Sequence, residues 1–222
     1  MLLDKRAIGL YGDVVARMSP AERRAEILDA TLRLIIRQGM AATTVRDVAG
    51  EMGTSSGLIH HYFASMDDLL AEAFEQVATA DLTRIADAIA PIDDPVERLE
   101  VFFTGYTRAD EDWAVQLWLD AWADAARRPA LQRTSRRLNE EWQELVAGLI
   151  REGVREGVMR CGDPGAAAWR IVSLLDGLAL QVVAHADLVS RDEASGWARE
   201  HTEIELGLPR GALRSRVLLP GE

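Results

Sequence analysis

The chain has 222 residues, 48% hydrophobic and 27% charged, with one cysteine, Cys161, and a formal net charge of −11. A single cysteine excludes an internal disulfide and a cysteine-based zinc site and suits a reducing cytosol, and the acidity argues against most of the chain approaching nucleic acid. No apolar run approaches the roughly 20 residues of a membrane span, and Met1–Arg6 does not open a signal peptide, so a cytoplasmic protein without a membrane partner is expected.

The acidity is unevenly spread. Residues 1–65 hold eight Arg/Lys and seven Asp/Glu, plus the His60–His61 pair, whereas residues 66–222 hold seventeen basic and twenty-nine acidic side chains. Only the N-terminal quarter is electrically fit to approach phosphates, and its small surplus predicts weak, salt-sensitive non-specific binding.

Apolar residues recur at helical spacing almost throughout, and no alternating run reads as a strand, so an all-α fold of about nine helices is predicted. Residues 1–18 read as a loose arm or a short extra helix, and Met18 is a candidate initiator because a helix start follows at once. Ser19-Pro20 supplies that start, serine as cap and proline in the first turn. Ile27, Thr31, Leu34 and Ile35 then line one face up to Gly39. Thr44 is expected to cap the next helix, Ser55 a short third, and Ser65 a long fourth whose buried stripe is Leu70, Phe74 and Val77. Later breaks at Pro91–Pro95, near Asp110, at Arg128-Pro129, at Gly157–Pro164 and around Leu188–Arg191 delimit five more helices. These fall over 95–108, 111–127, 129–156, 164–187 and 191–206, with Gly207 and Pro209 as the final stop. The chain therefore divides into an arm over 1–18, a head over 19–65, a body over 66–206 and an irregular tail over 207–222.

Residues 44–63, TVRDVAGEMGTSSGLIHHYF, spell a helix, a tight turn and a second short helix. Ala49 is small enough for two helices to cross closely, Gly53 tolerates the positive φ of the turn, and Ile59 anchors the inner face of the second helix. The outer face carries Thr54, Ser55, Ser56, His60, His61 and Tyr62, all hydrogen-bonding groups and none acidic. That is the chemistry of a helix laid in a DNA major groove. His60 and His61 cannot serve as a metal pair, because adjacent helical residues diverge by about 100°. No metal and no cofactor is expected.

A three-helix head with this turn, joined through a long helix to an acidic helical body, resembles the TetR family of transcriptional regulators over about residues 21–73. The likeness rests on Ile27–Gly39, Thr44, Val48-Ala49, Gly53–Ser55, Gly57–Phe63 and Asp68-Leu69-Leu70, and the run from Gly57 to Phe63 is most similar to the choline-responsive BetI branch. Carried over by position, the resemblance implies that Thr44 and Arg46 hold phosphates. It places Thr54, Ser56, Leu58 and His61 at base edges, Leu58 against a thymine methyl, and His60 and Tyr62 on backbone phosphates, with Ser55 at the helix start. Two departures stand out: Met66 occupies a position where many relatives have a phosphate-binding lysine, and His60 one where tyrosine is common. Protonated His60 would restore part of the lost charge and make DNA binding pH-sensitive.

In the body, Phe102, Phe103 and Tyr106 with Trp118 sit at core-like spacing; Trp118 and Trp122 share a face at i, i+4, and Trp113 points elsewhere. Such stripes are commonly core alone, while the family resemblance implies an inducer pocket among them. Asp176 interrupts the apolar run Ile171–Ala184 and shares a face with Trp169, Ser173 and Leu180. A buried carboxylate needs a partner, a proton or a cavity. Beside tryptophan it would suit a cationic ligand; the other reading is a salt bridge, for example to Arg170 of a second copy. The candidate ligand-binding set is thus Phe102, Tyr106, Trp113, Trp118, Trp169, Ser173 and Asp176, for an inducer that is cationic or aromatic. The last two helices, with Leu174, Leu178, Val182 and the small Gly177, Ala179 and Ala184, offer a homodimer surface. Dimerisation would set two reading helices roughly 34–36 Å apart on a near-palindromic double-stranded operator.

The resulting expectation is a ligand-responsive, homodimeric DNA-binding regulator, a repressor released by a small molecule, and no enzyme. An all-α enzyme with an incidental head stays as an alternative, against which the body offers no HExxH, no paired Glu-x-x-His and no phosphate loop. An architectural DNA binder without an inducer is the third reading.

Overall fold

The computed structural model describes residues 18–106, 112–185 and 187–214. Residues 1–17 of the predicted arm over 1–18 and the end of the tail over 215–222 lie outside the described residues, and residues 207–214 form turns and bends. Nine helices are present among the described residues: α1 Pro20–Gln38, α2 Val45–Glu51, α3 Ser56–Tyr62, α4 Met66–Ile89, α5 Pro95–Tyr106, α6 Asp112–Ala125, α7 Pro129–Arg155, α8 Pro164–Ala184 and α9 Arg191–Glu205. No strand occurs among them.

Local chemistry sets the helix starts. Ser19 and Glu22 exchange bonds at the head of α1, Thr44 and Asp47 at α2, and Ser190 and Glu193 at α9, each pair satisfying two otherwise orphaned amides. The Ser65 hydroxyl accepts the Asp68 N–H at 3.0 Å and so starts α4. Ser55 differs from the expectation: it holds the cap position by backbone alone, its carbonyl accepting the Leu58 N–H at 3.0 Å, while its hydroxyl makes no cap bond. Between α2 and α3, Gly53 takes φ 63° and the Thr54 N–H reaches back to the Ala49 carbonyl at 2.9 Å, closing the turn with a left-handed residue.

Two apolar clusters fill the molecule. The first joins Ile27, Leu34, Met40, Val48, Ala49, Ile59 and Phe63 of the head to Leu70 and Phe74 of α4, and continues into Leu117 and Ala121 of α6 and Leu131 and Leu138 of α7. The second lies among α4, α5, α7, α8 and α9 and centres on Phe102, Phe103, Trp142, Val146, Ile150 and Ile171. Trp118 packs against both. The head therefore has no core wholly its own.

Two buried charged groups tie the body together, each with its hydrogen bonds satisfied. Arg199 grips both oxygens of Glu100 at 2.9 Å and lies 5.3 Å over the Phe103 ring, tying α9 to α5. The buried Glu203 accepts the N–H groups of Gly211 and Leu213 at 2.8 Å, which folds the segment after α9 back onto the body. Helix α8 is long and apolar enough to cross a membrane by length and composition, although the sequence suggested no such run. Its apolar surface is shared among the second core, the cavity described below and an exposed stripe.

Candidate functional site: a reading helix and an acidic cavity

The short helix α3 is held from behind. Ile59, 1% exposed, seats it in the head core. Arg24 of α1 donates from Nε to Glu72 of α4 at 2.7 Å and from a terminal nitrogen to the other Glu72 oxygen. Its second terminal nitrogen donates to the Tyr62 carbonyl at 2.6 Å, and the guanidinium lies 4.1 Å from the Phe63 ring centroid. One side chain thus locks the end of α3 to α1 and α4. Glu51, at the end of α2, is held by Arg33 at 3.2 Å and Arg37 at 3.1 Å.

With its inner face so fixed, α3 turns its polar groups outward. Ser55, His60 and His61 are exposed, Thr54, Ser56 and Leu58 are partly buried, and Arg46 is exposed on α2. Tyr62 is partly buried, packs on the head core and stands edge-on to His61 with centroids 5.1 Å apart. The Thr44 hydroxyl is exposed but already occupied, donating to Asp47 at 2.6 Å and accepting the Asp47 N–H at 3.3 Å. Met66 opens α4 and is partly buried against the head core.

The second site lies in the body. Asp81, Arg84 and Ile85 of α4, Gly105 and Tyr106 of α5, Ala114, Val115, Trp118, Leu119 and Trp122 of α6, Asn139 and Trp142 of α7, and Val172, Asp176 and Ala179 of α8 line one cavity. Its empty space is about 710 Å³ with the open mouth included. Three tryptophans contribute walls: Trp118 and Trp122 have centroids 5.4 Å apart, and Trp142 stands edge-on to Tyr106 at 5.5 Å. The Trp142 indole N–H is closed to solvent and meets no acceptor among the described residues.

The cavity is electrically distinctive. Asp81 and Arg84, one helical turn apart, pair at 3.3 Å. Asp176 instead takes a hydrogen bond from the neutral Tyr106 hydroxyl. Burial raises the Asp176 pKa to about 6 even though the Tyr106 bond pulls it down. Burial and the neighbouring carboxylate push the Tyr106 phenol well above its ordinary value, so it stays a donor. Arg170, the salt-bridge partner considered from the sequence, is engaged by Glu205 of α9.

Of the ligand-binding candidates, Tyr106, Trp118 and Asp176 meet at this cavity. Phe102 is fully buried behind it, 5.6 Å from the Tyr106 ring. Trp113, 39% exposed, does not line it. Trp169 and Ser173 are exposed on α8 and do not line it either. The face shared by Trp169, Ser173, Asp176 and Leu180 divides at Asp176, the residue nearest the Val172–Ala179 side, whose carboxylate turns inward to Tyr106. Sequence reasoning missed Trp142, Asn139, Asp81 and Arg84. Trp142 sits in the run Glu140-Glu141-Trp142-Gln143-Glu144, which reads as a solvated face, and Asp81 with Arg84 reads as a surface pair. Trp122 carried a signal in its shared face with Trp118.

Comparison with known proteins agrees with both halves. The family described as "Bacterial regulatory proteins, tetR family" matches residues 27–73, and the family described as "BetI-type transcriptional repressor, C-terminal" matches residues 95–207. The chain belongs to the TetR family of transcriptional regulators, with a C-terminal part of the BetI type. It is 30% identical over 199 residues to the HTH-type transcriptional regulator BetI 1 of Chromohalobacter salexigens, covering 85% of this chain and 92% of that one. It is 28% identical over 141 residues to the transcriptional repressor KstR2 of Mycobacterium tuberculosis, covering 62% of this chain and 70% of the relative. A transcriptional regulator from Saccharomonospora viridis, solved in complex with choline, superposes with a TM-score of 0.75 at 28% identity, covering 84% of this chain and 98% of that one. As a TetR-family member the chain is a DNA-binding transcriptional regulator whose helix-turn-helix is α2 and α3.

Proposed function

We propose that this regulator is a cytoplasmic, homodimeric repressor that binds a near-palindromic operator and is released when a small organic cation enters the body cavity. The observation that carries the ligand class is Asp176. Among the described residues it is a carboxylate in a tryptophan-walled cavity whose hydrogen-bond partner is a neutral phenol rather than a cation. An ammonium group there would gain both charge complementarity and cation–π contact. The choline held by the Saccharomonospora viridis regulator supports the same class of ligand. In the head, Arg46 and His60 serve phosphates, with Thr44 and Tyr62, while Thr54, Ser56, Leu58 and His61 reach base edges and Ser55 opens the helix.

Dimerisation through α8 and α9 is supported by their exposed apolar side chains: Trp169 and Leu180 at 44% and 38%, Trp197 and Ile204 at 48% and 76%. Large apolar residues gathered on two neighbouring helices are the surface a second copy would cover. Trp169 and Ser173 belong to that stripe in this reading.

The test uses DNA selected by the purified protein from a random pool. Choline and a series of other ammonium compounds are added to the complex, with release followed by fluorescence anisotropy and assembly by light scattering. Release of the wild type, retention of Asp176→Asn on the DNA, and a dimeric mass are expected. No release and no thermal shift with any of the cations would sink the ligand assignment, and a monomeric mass the assembly.

A further inference from the structure

The cavity and the head meet on one helix. Trp118 of α6 forms cavity wall and stands edge-on to Phe74 of α4, with ring centroids 4.7 Å apart at 87°. Phe74 is fully buried in the cluster that holds the head together. Two residues further along α6, Asp120 reaches out of the body. One carboxylate oxygen accepts the Met40 N–H at 2.9 Å, and the other accepts the Gln116 side chain at 2.9 Å. A separation of two residues places Trp118 and Asp120 about 200° apart around α6, so the helix presents one side to the cavity and nearly the opposite side to the head.

Met40 follows the Gly39 turn and is itself fully buried. The Thr43 hydroxyl donates to the Gly39 carbonyl at 2.8 Å, and Thr44 caps α2 directly after. The amide that Asp120 grips therefore lies at the root of the connection into the helix-turn-helix. Asp120 does not line the cavity.

We infer that Asp120 is the coupling residue of this regulator: its grip on the Met40 N–H carries a displacement of the α6 cavity wall into the turn that aims α2 and α3. The inference rests on the reading of the cavity as an effector site. Movement of α6 either drags the α1–α2 connection with it or breaks the bond and strands a buried donor. Both outcomes give the junction two discrete arrangements, which is what an effector needs in order to bias DNA affinity.

The test separates coupling from binding. Affinity for the selected DNA is measured with and without saturating choline for the wild type, Asp120→Ala and Asp120→Asn, and choline affinity is measured by calorimetry. Choline should change wild-type DNA affinity within the roughly 5–150-fold span of allosteric couplings, and Asp120→Ala should cut that change to below about threefold. Asp120→Ala should still bind choline within about twofold of wild type, and Asp120→Asn, which keeps an acceptor oxygen, should restore the response. A full response in Asp120→Ala, or loss of choline affinity together with the response, overturns the inference. A ligand-free arm replaces occupancy with bulk. Ala179→Phe pushes into the cavity, and its effect on DNA affinity is measured with and without Asp120→Ala in a double-mutant cycle. A non-additive cycle in a protein that ignores every cation would retire the ligand assignment and leave the coupling standing. An additive cycle, including one in which Ala179→Phe does nothing, removes the coupling.

Discussion

The reading helix and the cavity treat their polar groups in opposite ways. In α3 the apolar anchor Ile59 points in and the polar His60 and His61 point out, where water can satisfy them. In the cavity the polar Asp176 and Tyr106 point in, among Trp118, Trp122 and Trp142, and must satisfy one another. The exposed groups of α3 lie open to solvent. The cavity shifts the chemistry of its own groups: burial raises the pKa of Asp176 and of Tyr106 alike.

The most severe way to separate the two regions is Ile59→Asp. A carboxylate at a position 1% exposed should abolish DNA binding, a loss above roughly 100-fold, because the head core cannot hold it. The choline-induced thermal shift should survive, measured by differential scanning fluorimetry; if it is lost too, the continuity of the head core into α6 and α7 makes the two regions one cooperative unit.

Asp176→Asn is the converse. Calorimetry should show choline affinity lowered by about 10–100-fold with DNA affinity unchanged. A matching loss of DNA binding would mean that Asp176 supports the fold rather than the ligand.

Arg24→Ala tests whether α3 is aimed from behind. It removes the bonds to Glu72 and the Tyr62 carbonyl while leaving every side chain proposed to meet DNA unsubstituted. A roughly tenfold loss of DNA affinity is expected in anisotropy titrations, with choline binding retained. Unchanged DNA affinity would leave the helix positioned by its core alone.

Acidity should act on the cavity. A cation requires the ionised carboxylate, and with a pKa of about 6 Asp176 is mostly ionised at pH 7 and mostly protonated at pH 5. Choline affinity should therefore fall about tenfold between those pH values, and the fall should vanish in Asp176→Asn. Stability moves the opposite way with pH. Because the folded pKa is raised, the ionised group costs the folded state stability above pH 6, and protonation on acidification relieves that cost.

The smallest effect is expected at Met66. Met66→Lys should steepen the salt dependence of DNA binding by about one unit of slope and raise affinity modestly at low salt. An unchanged slope would show that the packed position of Met66 keeps even a long cationic side chain from the phosphates.

Much of the head was legible because its determinants are contiguous. The caps Ser19 and Thr44, the Gly53 turn and the inward Ile59 all act on residues close by in the chain, and each declares itself by residue type and spacing, whereas the partners Glu22 and Asp47 that complete the two caps came from the structure. Ser55 shows the limit even there: the residue type favoured a side-chain cap, and the backbone starts the helix without one. Asp176 was legible as an anomaly, an acid in an apolar run, but its direction was not. Trp169 and Ser173 share its helical face and still end outside, because helix periodicity fixes an angle about one axis and says nothing of what stands opposite.

The sequence by itself determined that the chain is helical, that its N-terminal quarter carries a DNA-reading motif and that its acidity lies elsewhere, since these follow from local periodicity, capping and summed charge. Only the tertiary structure decided which tryptophans face Asp176, that Tyr106 is its partner and that Asp120 crosses from the body to the Met40 amide. Those pairings join residues 70 and 80 positions apart, and no local rule of spacing reaches so far. They depend on how helices stack, which is set by the sum of many small packing contacts rather than by any one residue.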